Sequence, residues 1–213
     1  MLRDLSKGNK VYSIGELDEK DVDKNPIVQF INWLDFAEIS GVEEPNAMIL
    51  STVDENSKPS SRVVLLKNIL EDGLVFYTNF ESRKGRNISI NPNVSAVFFW
   101  SKLERQVRVE GTVIKHDKNL SDAYFKSRPY ESRLGAISSP QSQVIPSRDY
   151  LIELIMQTAE KYKNEPLNRP DYWGGFLIQP NLFEFWQGRP NRINDRIQYR
   201  LDKNSWVIER LAP

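Results

Sequence analysis

Five clusters in this sequence carry side chains whose types and spacing suit the binding of anions and flat rings. Arg62 and Lys67 bracket the run RVVLLK, and Ser82-Arg83-Lys84-Gly85, with Arg86 behind it, stands at a turn that opens a helix. Backbone N–H groups, a hydroxyl and two cations at a helix start suit a phosphate; a solvated charged turn is the plain alternative. Five residues of separation put Arg62 and Lys67 on opposite faces of a strand unless the strand bends. Tyr77-Thr78-Asn79 ends a strand just before that turn, where an aromatic ring and a hydroxyl line a cofactor ring or simply pack a strand end. Tyr124, Arg128 and Ser132 follow i, i+4, i+8 spacing. Pro129 interrupts the helix, so Arg128 and Ser132 are expected in the loop beyond it, as a second anion site or an exposed helix end. Gln141-Ser142 lies in a polar loop and is a weak signal by itself. Three arginines fall within eight residues of Gly188-Arg189-Pro190-Asn191-Arg192-Ile193-Asn194-Asp195-Arg196, next to Trp186. Arg192 and Arg196 could grip phosphate or carboxylate bidentately, with Asp195 orienting one of them and Trp186 as a flat wall; an ion-paired surface loop is the alternative. His116, where a strand runs into HDKN, is expected to face solvent and receives no catalytic role.

Composition narrows the chemistry further. The 213 residues hold 29 Lys and Arg against 29 Asp and Glu, a net charge of zero, with no Cys and a single His. Zero net charge argues against a dedicated nucleic-acid-binding or polybasic membrane protein, though not against a local basic pocket. Without Cys there is no thiolate nucleophile, disulfide or iron–sulfur site, and one His excludes a multi-His metal site. Difficult chemistry here would borrow a cofactor. The charged start MLRDLSKGNK has no apolar signal core, and no run of about 18 apolar residues occurs, so a soluble cytoplasmic protein is expected.

The elements that must position these residues are legible from period and punctuation. Residues 1–24 read as a partly ordered polar arm, and 25–213 as one domain. Asn25-Pro26 caps an amphipathic helix with Ile27, Phe30, Ile31 and Leu34 on one face, closed at Gly41. AMILSTVDENSKPSSRVVLLKN predicts two strands around a DEN turn, LVFYTN a third, and residues 83–91 a short polar helix. VSAVFFW predicts a fully buried strand, and RQVRVEGTVIKH another, with its alternation broken at Glu110-Gly111 by a bulge. Two helices follow, over 120–127 and 148–162, the second capped by Ser147 with Leu151, Leu154, Ile155 and Ala159 on one face. GGFLIQ, LFEFWQG, RIQYRL and SWVIERL predict separate strands divided by Pro-Asn and Asp-Lys-Asn turns. Strands dominate and come as hairpins, so an antiparallel barrel flanked by helices is expected. Its edge would offer two anion sites and aromatic walls, as a phosphorylated flat cofactor and a phosphorylated substrate require.

The strings RVVLLK, VFYTN, SRK, LERQVRVEG, YFKSRP, QS, WGGF, FWQG, DR and the ending ERLAP, in that order over about residues 45–213, resemble the pyridoxamine (pyridoxine) 5'-phosphate oxidase family. The resemblance implies a mainly β FMN-binding split barrel and a homodimer with FMN at the subunit interface. It implies FMN contacts from Arg62, Val63, Val64, Leu65, Leu66, Lys67, Tyr77, Thr78, Arg83, Lys84, Gln106, Gln141, Ser142, Trp186 and Arg196, with Arg83 and Lys84 on the phosphate. Lys67, Tyr124, Arg128, Ser132, Arg192 and Asn194 would contact the substrate, pyridoxamine or pyridoxine 5'-phosphate. Arg192, Asn194 and Asp195 would form the catalytic loop. The implied reaction moves a hydride from the substrate's 4' carbon to the flavin, and O2 then reoxidises the flavin to give H2O2 and pyridoxal 5'-phosphate. Two positions depart from the family pattern. Asn194 replaces a His and cannot titrate like one, and Leu5 replaces a Tyr in the arm that retains Arg3. A split-barrel flavin reductase with another substrate, or a non-catalytic carrier of FMN or pyridoxal 5'-phosphate, are the alternatives. Retention of Tyr124, Arg128, Ser132 and Arg192 speaks against the reductase.

Overall fold

A computed structural model describes residues 10–213. The arm positions Arg3 and Leu5 lie outside the described residues. Helix α1 (Pro26–Ile39) forms as its punctuation predicts: the Asn25 side chain accepts from the Ile27 N–H at 2.9 Å, and Pro26 occupies the first turn. It stops at Gly41, whose φ of +68° is left-handed and favours a residue without Cβ. Strands β1 (Ala47–Val53), β2 (Pro59–Leu65), β3 (Asn68–Leu70) and β4 (Gly73–Asn79) follow, then α2 (Arg83–Ile90), β5 (Asn93–Trp100) and β6 (Arg105–Lys115). Helices α3 (Lys118–Ser127), α4 (Tyr130–Ser138) and α5 (Arg148–Lys161) precede β7 (Trp173–Gln187), β8 (Asp195–Asp202) and β9 (Ser205–Arg210). The strand order is β2-β1-β5-β6-β7-β4-β3, with β8 paired to β7 and β9 to β8. The class is mainly β with flanking helices, as expected.

The chain divides into two compact units. One comprises residues up to Ile49, Ala96–Glu110 and Pro180–Pro213. Its core is aromatic: Phe30 lies 4.8 Å from Phe98, Trp33 5.2 Å from Phe185, and Phe185 5.5 Å from Tyr199, between ring centroids. Burying each such ring contributes about 2–3 kcal/mol. The buried Tyr199 phenol is satisfied by donating to the Asp23 carbonyl. The other unit comprises Leu50–Ser95 and Gly111–Gln179. Its core gathers Leu74, Phe76, Phe125, Phe176 and Ile178 between β4, β7 and α3.

Four local expectations are corrected. β5 is not buried throughout; Val94, Ala96, Phe98 and Trp100 are buried while Phe99 is 53% exposed, because only one face of the strand meets the core. Burial in β6 runs unbroken through Val107, Val109, Gly111 and Val113, so Gly111 takes an inward position and interrupts nothing. GGFLIQ and LFEFWQG are one strand, β7, because Pro180 falls between its two antiparallel ladders: β4 pairs as far as Ile178 and β8 from Leu182, so neither needs a Pro180 N–H. Pro129 ends α3 as expected, but α4 starts straight after it.

Candidate functional site

The unit built from Leu50–Ser95 and Gly111–Gln179 gathers one group of the expected residues. At the start of α2 the Ser82 hydroxyl accepts from the Gly85 N–H, which fixes the first turn. This places Lys84 inward, only 9% exposed, with its ammonium donating to Thr78 Oγ1 at 3.1 Å and Ser82 Oγ at 3.4 Å. Thr78 in turn donates to Gln141 Oε1 at 3.3 Å. Arg62 spends its guanidinium on the Leu50 carbonyl, Thr52 Oγ1 and Ser60 Oγ, at 2.7 to 3.0 Å. All these acceptors are neutral. Among the described residues every ion-paired carboxylate is paired with another cation, and none with Arg62, Lys67, Arg83, Lys84 or Arg128. Burial, with the Arg62 charge behind it, lowers the Lys84 ammonium to a pKa of about 8. Burial and Arg83 lower Arg62 likewise. A cluster of partly buried cations without an acid destabilises itself until an anion arrives.

Beside it three rings stack in parallel. Tyr77 and Tyr124 lie 3.8 Å apart at 18°, and Trp173 faces Tyr77 at 5.7 Å and 13°. Arg128 lies over Trp173 at 4.8 Å, and its Nη1 is buried without a hydrogen-bond partner. Burial raises the Tyr77 and Tyr124 phenols, so both are neutral donors. Gly175 permits the stack: a Cβ there would sit 2.9 Å from His116 Cβ and 3.0 Å from the Tyr77 ring. A cavity of about 280 Å³ opens along these groups, lined by Val63, Val64, Leu65, Lys67, Tyr77, Thr78, Lys84, Tyr124, Arg128, Gln141 and Trp173. Lys67 reaches it because the chain bends between β2 and β3, where the Lys67 N–H donates to the Val75 carbonyl. Ser132 lies on α4 and Arg128 at the α3 terminus, not in a common loop; Pro129 separates two helices instead of ending helical structure. Both residues line an adjoining cavity of about 270 Å³ that shares Gln141 and Trp173. Leu66 is buried, and Ser142 is exposed with a left-handed φ of +71°. A larger cavity of about 560 Å³, walled by Phe80, Ile88, Val113 and Phe176, contains none of the expected residues.

Gln106, Trp186, Arg192, Asn194, Asp195 and Arg196 belong to the other unit. Trp186 stands opposite Arg196 in the β7–β8 register and meets the Tyr12 ring edge-on at 5.5 Å. Arg196 donates side-on to Glu184 at 2.9 and 3.1 Å. Asn191 and Arg192 both have left-handed backbone, at φ +58° and +63°. Asn194 Oδ1 accepts from the Arg189 N–H at 3.0 Å. Asp195 accepts from the Leu17 N–H at 3.1 Å and pairs with Arg210 at 3.0 Å, so its carboxylate ties down the segment before α1.

A family model described as pyridoxamine 5'-phosphate oxidase matches residues 37–160. One described as the pyridoxine 5'-phosphate oxidase C-terminal dimerisation region matches residues 173–213. The chain belongs to the pyridoxamine 5'-phosphate oxidase family. The pyridoxine/pyridoxamine 5'-phosphate oxidase of Neisseria gonorrhoeae is 50% identical over 212 residues, covering 99% of this chain and 100% of that one. That of Mannheimia succiniciproducens is 50% identical over 210 residues, 99% of each chain. Among solved structures, PhzG from Burkholderia lata in complex with tetrahydrophenazine-1-carboxylic acid superposes with a TM-score of 0.88 at 27% identity, covering 94% of this chain and 100% of that one. An FMN-binding protein from Nostoc punctiforme shares the fold, with a TM-score of 0.66 at 20% identity, covering 86% and 95%. These matches bear out the expected fold class. Among the described residues no helix is long and apolar enough to cross a membrane.

Trp173 is the site residue that reasoning on side-chain chemistry missed, although it sits in the string WGGF that carried the resemblance. The signal available was the Gly174-Gly175 pair, which marks a place where rings approach the backbone closely.

Proposed function

We propose that this protein oxidises pyridoxamine and pyridoxine 5'-phosphates to pyridoxal 5'-phosphate with FMN as its cofactor. The observation that carries the reading is the acid-free cation cluster of Arg83 and Lys84 at the start of α2 with Arg62 of β2, adjoining the Tyr77–Tyr124–Trp173 stack. The donor set fits FMN: a buried ammonium and a guanidinium with only neutral partners suit its phosphate, and the run 63–65 with Thr78 and Gln141 offers apolar and polar edges for a flat ring. Bound FMN would supply a two-electron acceptor for the hydride of the substrate's 4' carbon, with O2 as the final oxidant and H2O2 as its product.

The chain's own residues bind and orient. Lys67, Tyr124, Arg128 and Ser132 hold the substrate phosphate, and the unpartnered Arg128 Nη1 is a donor in waiting for it. Arg192 and Asn194 contact the substrate. Asp195 braces their loop through Leu17 and Arg210, which is a supporting role. Gln106, Ser142, Trp186 and Arg196 complete the cofactor contacts. Because Asn194 cannot titrate, its part is hydrogen bonding alone. The match of residues 173–213 to a dimerisation region supports a homodimer.

The test is aerobic turnover. Protein loaded with FMN and given pyridoxine 5'-phosphate is expected to form pyridoxal 5'-phosphate and peroxide in equal amounts. Firm FMN binding with no product from either substrate would leave a carrier or a reductase instead.

A further inference from the structure

We propose that Glu184 is a positioning residue for the cofactor, holding the Arg196 guanidinium in the orientation that presents its remaining N–H groups to FMN. The inference rests on the reading of Arg196 as a cofactor contact. Glu184 is 3% exposed in β7. Its Oε1 accepts from Arg196 Nε at 2.9 Å, and its Oε2 from Arg196 Nη2 at 3.1 Å and Arg108 Nη1 at 2.9 Å. Arg196 Nη1 also donates to the Ala212 carbonyl at 2.8 Å. A guanidinium has five N–H donors in a rigid fork. Three are committed here, Nε and Nη2 side-on to Glu184 and Nη1 to Ala212 on the other side, so the fork is held from turning.

A buried carboxylate is costly, and an apolar residue of similar volume often serves stability as well or better. Glu184 lies between the buried Phe183 and Phe185, which face the core; it pairs with Gln198 and shares its strand face with Trp186, the residue that pairs with Arg196. The acid is therefore built into the strand face that carries the two expected cofactor contacts, and it also neutralises the Arg196 charge. Arg108 is a shared partner, since it pairs with Glu110 at 2.7 Å as well. Removing Arg108 leaves the side-on Glu184–Arg196 pair in place.

The experiment compares Glu184→Gln with Arg108→Gln by thermal melting, FMN titration and the midpoint potential of the bound flavin. Both variants lose a partner of Glu184 or the charge itself, and both are expected to melt lower. Only Glu184→Gln should weaken FMN, with Kd rising about tenfold as the side-on pair is lost. With the Arg196 charge no longer neutralised, the two-electron reduced flavin is retained about tenfold better relative to the oxidised form, a rise of about 30 mV. Arg108→Gln should leave both values unchanged. Should Glu184→Gln fail to fold, Glu184→Asp keeps the charge but falls short by one methylene; it should raise Kd with the potential unmoved. Wild-type values in Glu184→Gln, equal shifts in Arg108→Gln, or an unchanged Kd in Glu184→Asp would each overturn the proposal. A wild-type protein that binds no FMN would overturn the functional reading itself, a result no Glu184 variant can mimic.

Discussion

Replacing Lys84 with Met removes one charge while nearly keeping the side chain's volume. In the FMN-free protein the ammonium titrates at about 8, because burial and the neighbouring Arg62 disfavour the charged form. A phosphate dianion binds the charged form, so the apparent Kd for FMN scales with the inverse of the protonated fraction. With a pKa of about 8, that fraction falls from nearly complete at pH 7 to about one tenth at pH 9, and Kd rises about tenfold across the interval. The phosphate contributes little to this slope, since its second ionisation, near pH 6, is nearly complete at pH 7. Lys84→Met loses a charge-assisted hydrogen bond of about 1.5–3 kcal/mol, raising Kd at pH 7 by about ten- to 150-fold. The variant's Kd should then be the flatter of the two with pH. Stability of the FMN-free protein moves the other way. Unfolded Lys titrates near 10.4, above the folded value, so the unfolded chain binds more protons between pH 8 and 10.4 and this residue's contribution to stability rises with pH there. Quenching of FMN fluorescence on titration at pH 7 and pH 9, for both proteins, checks the binding. A wild-type Kd that does not rise between these pH values, or a variant that follows the same slope, would refute the assignment of Lys84 to the phosphate.

Gly175→Ala places a Cβ 2.9 Å from His116 Cβ and 3.0 Å from the Tyr77 ring; overpacking of about 1–3 kcal/mol should lower the melting temperature, and the displaced Tyr77 should weaken FMN in the same titration. Arg128→Lys keeps the charge but loses the planar fork and its place over Trp173, so KM for the phosphorylated substrate should rise about tenfold with kcat nearly kept, as read by steady-state kinetics. Glu104→Ala leaves the Ser13 and Ile14 N–H groups without their acceptor. A loss of about 1–3 kcal/mol should appear in denaturant unfolding.

Where the sequence spelled a backbone device, the structure follows it: Asn25-Pro26 and Gly41 bound α1, and Ser82 caps α2 where a phosphate site was expected. The Tyr77, Lys84, Tyr124 and Arg128 grouping was legible only as separate weak signals, because Tyr77 on β4 meets Tyr124 on α3 only in the folded chain. Errors came where one cue served two outcomes. Pro129 read as the end of helix, yet a proline that ends one helix also fits just before the start of the next. Pro180 read as a break, yet a proline is tolerated where no neighbouring strand needs its N–H. The apolar run VSAVFFW concealed a strand with one buried face, since Phe99 on the outer face looks the same in sequence as Phe98 on the inner. Glu184 carried no sequence signal at all; its partners Arg108 and Arg196 lie on other strands.

In the proposed function, electrons pass from a vitamin B6 phosphate to FMN held by this chain. The direct measurement is a single anaerobic turnover of the FMN-loaded protein mixed with pyridoxine 5'-phosphate. The visible band of oxidised flavin is expected to bleach while an equal amount of pyridoxal 5'-phosphate forms, and to return when O2 is admitted. A band that stays unbleached with saturating pyridoxine or pyridoxamine 5'-phosphate would contradict it.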